Sequence, residues 1–256
     1  ESSYMKCIFI SVRTDSTRLP QKAILNICGK PTIQYLIENI KKSKFADEII
    51  LCTTLEESDD GLCKIAVMNN IKYFRGSTED KLQRWKGACE KYEVDFFVNA
   101  DGDDIFFDYG LADLVLEQSD RTQVDFIDGR GLYNDVYGIS AKGIDLVCQH
   151  KKNTDTEFIK LYFDNIKDLI STEKLANVPS KYKKRKIRMT LDYIEDFDFF
   201  TTVIEHFRET ERELDFEEIL VFLEQNPSVA KINWHKEQNW KDNQTQMINK
   251  MKKEGL

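Results

Sequence analysis

The sequence has only four prolines and three histidines, and its six cysteines form no C-x-x-C pair. His150, His206 and His235 stand far apart without ligand spacing, which argues against a zinc site. No apolar run approaches the roughly 18 residues a membrane span needs, so no membrane partner is expected. A basic surplus is also missing: 37 lysines and arginines face 45 aspartates and glutamates, a formal net charge of −8. A nucleic-acid surface needs a basic face to meet phosphates, so that class of partner is set aside. There is no internal repeat and no low-complexity linker. Glu1-Ser2-Ser3-Tyr4 ahead of Met5 lacks the pattern of a signal peptide. The expectation is an acidic cytoplasmic protein of a reducing compartment, its thiols serving as small hydrophobes within apolar runs, as at Cys7 and Cys52.

The chain does have apolar content, 41% of 256 residues, enough to bury one good core. Its distribution predicts a main domain over 1–225, with 226–256 as a polar tail anchored by Trp234 and Trp240. Cys7 to Val12 is a continuous apolar run of strand length, the kind buried on both faces of a parallel sheet. Pro31 then opens a helix carrying Ile33, Leu36, Ile37 and Ile40 on one face. Further strands are predicted at 49–53, 72–74 and 95–98, with helices at 59–68 and from Ser77 to Tyr92. Ser77 reads as the N-cap of the latter, with Asp80 three residues on. This alternation predicts an α/β fold with right-handed crossovers and a mostly parallel sheet covered on both faces. Beyond residue 110 the pattern weakens. Strands are expected around Phe126-Ile127, at 135–139 and at Ile187–Leu191, and helices at 155–166, 195–207 and 215–225.

Two stretches carry chemistry. Directly after the first strand, Arg13-Thr14-Asp15-Ser16-Thr17-Arg18-Leu19-Pro20-Gln21-Lys22 concentrates cations and hydroxyls. In an open α/β sheet, ligands bind beyond the carboxyl ends of strands. A triphosphate there needs arginine or lysine to offset its charge and hydroxyls or backbone N–H groups to meet its oxygens. The bland alternative is a charged surface loop. Neither G-x-x-x-x-G-K-[ST] nor G-x-G-x-x-G is present. The second stretch, Asp101-Gly102-Asp103-Asp104, closes an apolar strand; clustered carboxylates at such an edge suit a hard cation, and Gly102 would let a ligand approach the backbone. Its bland alternative is an Asp/Gly turn ahead of a helix.

These residues resemble the A-R-x-x-S-x-R-x-P-x-K signature of the cytidylyltransferases that make CMP-activated sugar acids, the CMP-Kdo and CMP-neuraminate synthetases and the SpsF-like spore-coat polysaccharide branch. Arg13, Ser16, Arg18, Pro20 and Lys22 stand at the signature positions, followed by Ile27-x-Gly29-Lys30-Pro31, while Val12 replaces a usual small residue. Val98-Asn99-Ala100-Asp101-Gly102-Asp103 is similar to the V-N-x-Q-G-D segment of the Kdo enzymes, with Asp101 in place of a neutral residue and Ile105 where proline is usual. Leu191-Asp192-Tyr193-Ile194-Glu195-Asp196 resembles the D-T-P-E-D segment, with Tyr193-Ile194 for Thr-Pro. Phe74-Arg75-Gly76-Ser77 and the segment around Glu157-Phe158 are similar to blocks of the SpsF-like branch.

The resemblance implies a Rossmann-like three-layer nucleotidyltransferase fold, CTP and a sugar or sugar-acid acceptor as substrates, a magnesium cofactor and a homodimer. It implies that Arg18, Lys22, Asp103 and Asp192 do the catalytic work, Asp103 and Asp192 as metal ligands. Arg13, Ser16, Thr17, Arg18, Lys22, Arg75, Ser77 and Asp101 would contact the nucleotide, and Glu157 the sugar. Glu195 and Asp196 read as helix first-turn charge. Two other readings stay open: a GT-A-type glycosyltransferase, because Asp101-Gly102-Asp103 also satisfies D-x-D, and a non-catalytic nucleotide-binding relative.

Overall fold

The computed structural model describes residues 3–154, 156 and 158–255; Glu157 lies outside them. The elements are β1 (Lys6–Ser11), the hairpin β2 (Asn26–Ile27) and β3 (Lys30–Pro31), α1 (Thr32–Ile40), β4 (Glu48–Thr54), α2 (Asp60–Met68), β5 (Lys72–Gly76), α3 (Lys81–Tyr92) and β6 (Phe96–Asp101). They continue with α4 (Tyr109–Thr122), β7 (Phe126–Gly129), β8 (Val136–Ser140), α5 (Ala141–His150), α6 (Ile159–Asn165), β9 (Thr172–Lys174), α7 (Ile194–Glu209), α8 (Phe216–Gln225), α9 (Pro227–Trp234) and α10 (Lys236–Glu254).

Among the described residues, seven strands form one sheet in the order β5-β4-β1-β6-β8-β7-β9. The first four are mutually parallel, and β8 runs against both of its neighbours. Register aligns the ends of the two central strands, with Ser11 opposite Asp101. Both charged loops therefore leave the sheet side by side. Side chains alternate across β1 with the period of a strand. Ile8 and Ile10 enter one core with α1, α4, α7 and α8, while Cys7 and Phe9 enter another with α3, α5 and α6. Cys7 and Cys52 are fully buried, and burial pushes the Cys7 thiol up to about 12.

Several expectations are corrected. The N-cap of α3 is Asp80, not Ser77: Asp80 accepts the Gln83 N–H at 3.1 Å, and Ser77 Oγ accepts the Asp80 N–H at 3.1 Å one turn earlier. The expected strand at Ile187–Leu191 is an extended segment outside the sheet. Both sides of β6 are already taken by β1 and β8, so Leu191 N–H meets the Asp103 carbonyl, at 2.9 Å, beyond the end of that strand. The stretch beyond residue 226, for which no secondary structure was expected, folds as α9 and α10, and Met251 reaches the second core; it remains polar in composition, as expected. The space that the missing side chain of Gly102 leaves is filled by Val12: a Cβ there would lie 2.6 Å from Val12 Cγ2.

Candidate active site

The loop from Val12 to Lys22 is fixed first by its buried threonine. Asp59, 1% exposed at the start of α2, accepts both the N–H and the hydroxyl of Thr14 at 2.8 Å and also the Thr54 hydroxyl. Burial alone would raise the Asp59 pKa, but the donors on its oxygens outweigh it and hold the carboxyl below its ordinary value. Gln21 in the left-handed region and a Gln21 N–H bond to the Thr14 carbonyl at 3.1 Å close the loop back on itself. That closure aims Lys22 at the end of β6.

Lys22 Nζ lies 3.2 Å from Asp103 Oδ2 and 3.2 Å from Asp192 Oδ1. Two aspartates 89 positions apart thus converge on one ammonium, and Arg18 Nη2 stands 3.6 Å from Asp192 Oδ1. Burial opposes the charge on Lys22, but the two carboxylates outweigh it and raise its pKa. Asp103 and Asp104 are both raised, first by withdrawal from water and then by the neighbouring carboxylates; Asp104 is raised furthest. Asp101 goes the other way, because Lys81 Nζ at 2.8 Å and Asn99 Nδ2 at 3.0 Å offset its desolvation.

The site has a framework that the motifs did not reveal. Arg188, 1% exposed, bonds Asp192 Oδ2 at 3.0 Å, Asp196 Oδ1 at 2.9 Å and Glu237 Oε1 at 3.2 Å. Asp196 is more than first-turn charge. Fully buried, it also accepts the backbone N–H groups of Asp192 and Tyr193, each at 2.9 Å, and Asn233 Nδ2 at 2.8 Å. On the other flank Trp85 Nε1 donates to Ser11 Oγ at 2.8 Å, which donates to Asn99 Oδ1 at 2.5 Å. Arg188 had one signal in sequence, a cation within the predicted strand Ile187–Leu191, and Asn99 stood at the asparagine of the V-N-x-Q-G-D-like segment; Lys81, Asp59 and Glu237 had none.

The remaining expected nucleotide contacts are more dispersed. Arg13 is exposed, with Nη1 3.3 Å from the Thr78 carbonyl. Ser16 Oγ accepts the Leu19 N–H at 3.4 Å, and Thr17 is exposed. Arg75 is engaged between β4 and α2: its guanidinium holds the Thr54 and Glu56 carbonyls and Asp60, each at 2.7 Å. Ser77 serves the turn before α3. Among the described residues, no three His, Cys, Asp or Glu side chains gather as a ready metal cage. The donor set beside Lys22 is two aspartates, hard oxygen ligands, already holding one cation between them. That fits magnesium, which takes one or two carboxylates and completes its shell with phosphate and water.

A family model described as Cytidylyltransferase matches residues 7–232. An uncharacterized protein of Methanocaldococcus jannaschii is 30% identical over 236 residues, covering 90% of this chain and 95% of its own length. The spore coat polysaccharide biosynthesis protein SpsF of Bacillus subtilis is 25% identical over 231 residues, covering 86% and 95%. Among solved structures, a cytidylyltransferase from Leptospira borgpetersenii shares the fold, with a TM-score of 0.78 at 24% identity, covering 90% of this chain and 98% of that one.

Proposed function

The chain belongs to the cytidylyltransferase family, and from that premise we propose that it activates a sugar acid or related sugar with CTP, releasing pyrophosphate, for surface polysaccharide or glycoconjugate synthesis. The observation that carries this reading is the single ammonium of Lys22 set between Asp103 and Asp192 beside Arg18. The SpsF protein's name supports the polysaccharide context.

In the proposed reaction an acceptor oxygen attacks the α-phosphorus in line and pyrophosphate departs. Such transfers need positioning and charge neutralisation more than a covalent partner from the protein, so the lack of a nucleophile–base pair in the motifs is no obstacle. Arg18 and Lys22 supply positive charge where the phosphate oxygens gain negative charge. Asp103 and Asp192 would hold magnesium, which when bound neutralises phosphate charge and acidifies an acceptor hydroxyl. Arg188 keeps Asp192 Oδ2 occupied and so leaves Oδ1 facing Lys22 and Arg18. Asp101, engaged by Lys81 and Asn99, has its charge matched locally.

The test is a pyrophosphate-release screen of the four ribonucleoside triphosphates against sugar acids and sugar phosphates, with magnesium present. Release with CTP and one acceptor class is expected. Release of CMP or UDP from a nucleotide sugar instead would make the chain a glycosyltransferase.

A further inference from the structure

α10 is an unusual helix to find against a candidate active site. Its 19 residues are mostly polar and bury a single side chain, Met251, near its far end. A helix docked for apolar cover presents a hydrophobic stripe; the first turns of α10 present Lys236, Glu237, Trp240 and Asn243, a set spaced to share one face. All four reach the Asp192 network. Glu237 bonds Arg188 Nη1 at 3.2 Å, the Arg188 guanidinium lies 5.7 Å from the Trp240 ring centroid, Lys236 Nζ lies 5.2 Å from the Tyr193 ring, and Asn243 Nδ2 meets the Tyr193 hydroxyl at 3.3 Å. Tyr193, at a position where threonine is usual in the motif it resembles, is also approached by Arg18 at 5.3 Å and Arg188 at 5.4 Å. Contacts of this range over an aromatic face are attractive.

We propose that α10 is a positioning element for Asp192: Glu237 and Trp240 hold the buried Arg188 so that Asp192 keeps the orientation and negative charge needed for a divalent cation. The inference rests on the cytidylyl-transfer reading of the site. One guanidinium, 1% exposed, is shared among three carboxylates. A buried charge is held in place by partners, and losing one redistributes the rest. Without Glu237, the positive charge of Arg188 falls on Asp192 and Asp196 alone. Asp192 then has less charge to offer through Oδ1, and Arg188 loses the contact that fixes its third donor group. Within the site, Glu237 and Trp240 meet Arg188, not Lys22, Asp103 or Asp192, so each acts through Arg188.

The experiment is a calorimetric titration of the full chain with CTP, once with saturating magnesium and once in EDTA, for the wild type, Glu237→Gln, Trp240→Ala and Trp240→Phe. The difference between the two conditions isolates the cation's contribution without turnover. Outer-sphere partners of a metal ligand typically alter affinity by about 10- to 100-fold. Glu237→Gln and Trp240→Ala are expected to cut the magnesium-dependent gain in CTP affinity about tenfold, while metal-free affinity and the circular dichroism spectrum stay at wild-type values. Trp240→Phe, which keeps an aromatic face, is expected to retain the gain. A gain unchanged in both Glu237→Gln and Trp240→Ala overturns the positioning role alone; a wild type that binds CTP equally well in EDTA overturns both that role and the magnesium assignment to Asp103 and Asp192. A wild type that binds no CTP in either condition overturns the nucleotide reading as well.

Discussion

At the scale of single residues, Lys22, Asp103 and Asp192 form one electrostatic unit, and its members are not interchangeable. Asp103→Asn and Asp192→Asn keep the shape of the side chain but remove its charge. Each is expected to lower kcat by about 100- to 1,000-fold, with melting temperature within a few degrees of wild type; full turnover in both variants would remove the basis for the metal assignment. A second residue-level matter is the contact between Val12 and Gly102. The family resemblance expects a small residue at position 12, and the valine there fills the volume that a side chain at 102 would need. Gly102→Ala alone should cost about 1–3 kcal/mol, the usual range for overpacking. Val12→Ala combined with Gly102→Ala should recover most of that loss. Chemical denaturation of the two single variants and the double would measure this coupling.

At the scale of elements, Asp59 ties the loop after β1 to the start of α2 through Thr14 and Thr54. Its carboxyl is depressed in the folded chain, so its contribution is present in full above the unfolded aspartate value of about 3.9 and is lost as the pH falls through the lower folded value. Asp59→Asn should therefore lose about 1.5–3 kcal/mol at pH 7, the range for hydrogen bonds to a charged group. The gap to wild type should narrow once the pH falls below the unfolded aspartate value of about 3.9, which melting curves at successively lower pH would show. What could be read from the sequence divides along similar physical lines. β1, β4 and β6 were legible because strands buried on both faces write continuous apolar runs, and the loop beyond β1 was legible because its cations cluster in a short span. The Ile187–Leu191 segment misled because an apolar–polar alternation in sequence looks the same whether or not a neighbouring strand has a free edge. α10 was illegible because its docking depends on charged and aromatic contacts that carry no apolar period. Arg188 and Glu237, 49 positions apart, become partners only through the turn between α9 and α10.

At the scale of the molecule, the fold is held by cores of apolar side chains on both faces of the sheet. Stability and catalysis should therefore separate on chelation. EDTA is expected to stop pyrophosphate release completely while leaving the melting temperature within about a degree; a large drop in melting temperature would assign the ion a structural task. The same layout explains why the acceptor is harder to read than the nucleotide. The loops after β1 and β6 lie side by side by register, whereas the chain between residues 110 and 180 matches the resembled motifs thinly.

The closed chain of contacts under Asp101 has a practical corollary. Trp85 is fully buried, donates to Ser11, and lies with its ring 5.2 Å from Lys81 Nζ; Lys81 in turn holds Asp101. Trp234 and Trp240 are half-exposed, so the shielded indole of Trp85 should emit at the blue end of the spectrum. Trp85 is thus an intrinsic chromophore linked through Lys81 to Asp101; if the proposed nucleotide site is correct, adding CTP should change its emission, and an unchanged spectrum at saturating CTP would count against Asp101 as a nucleotide contact.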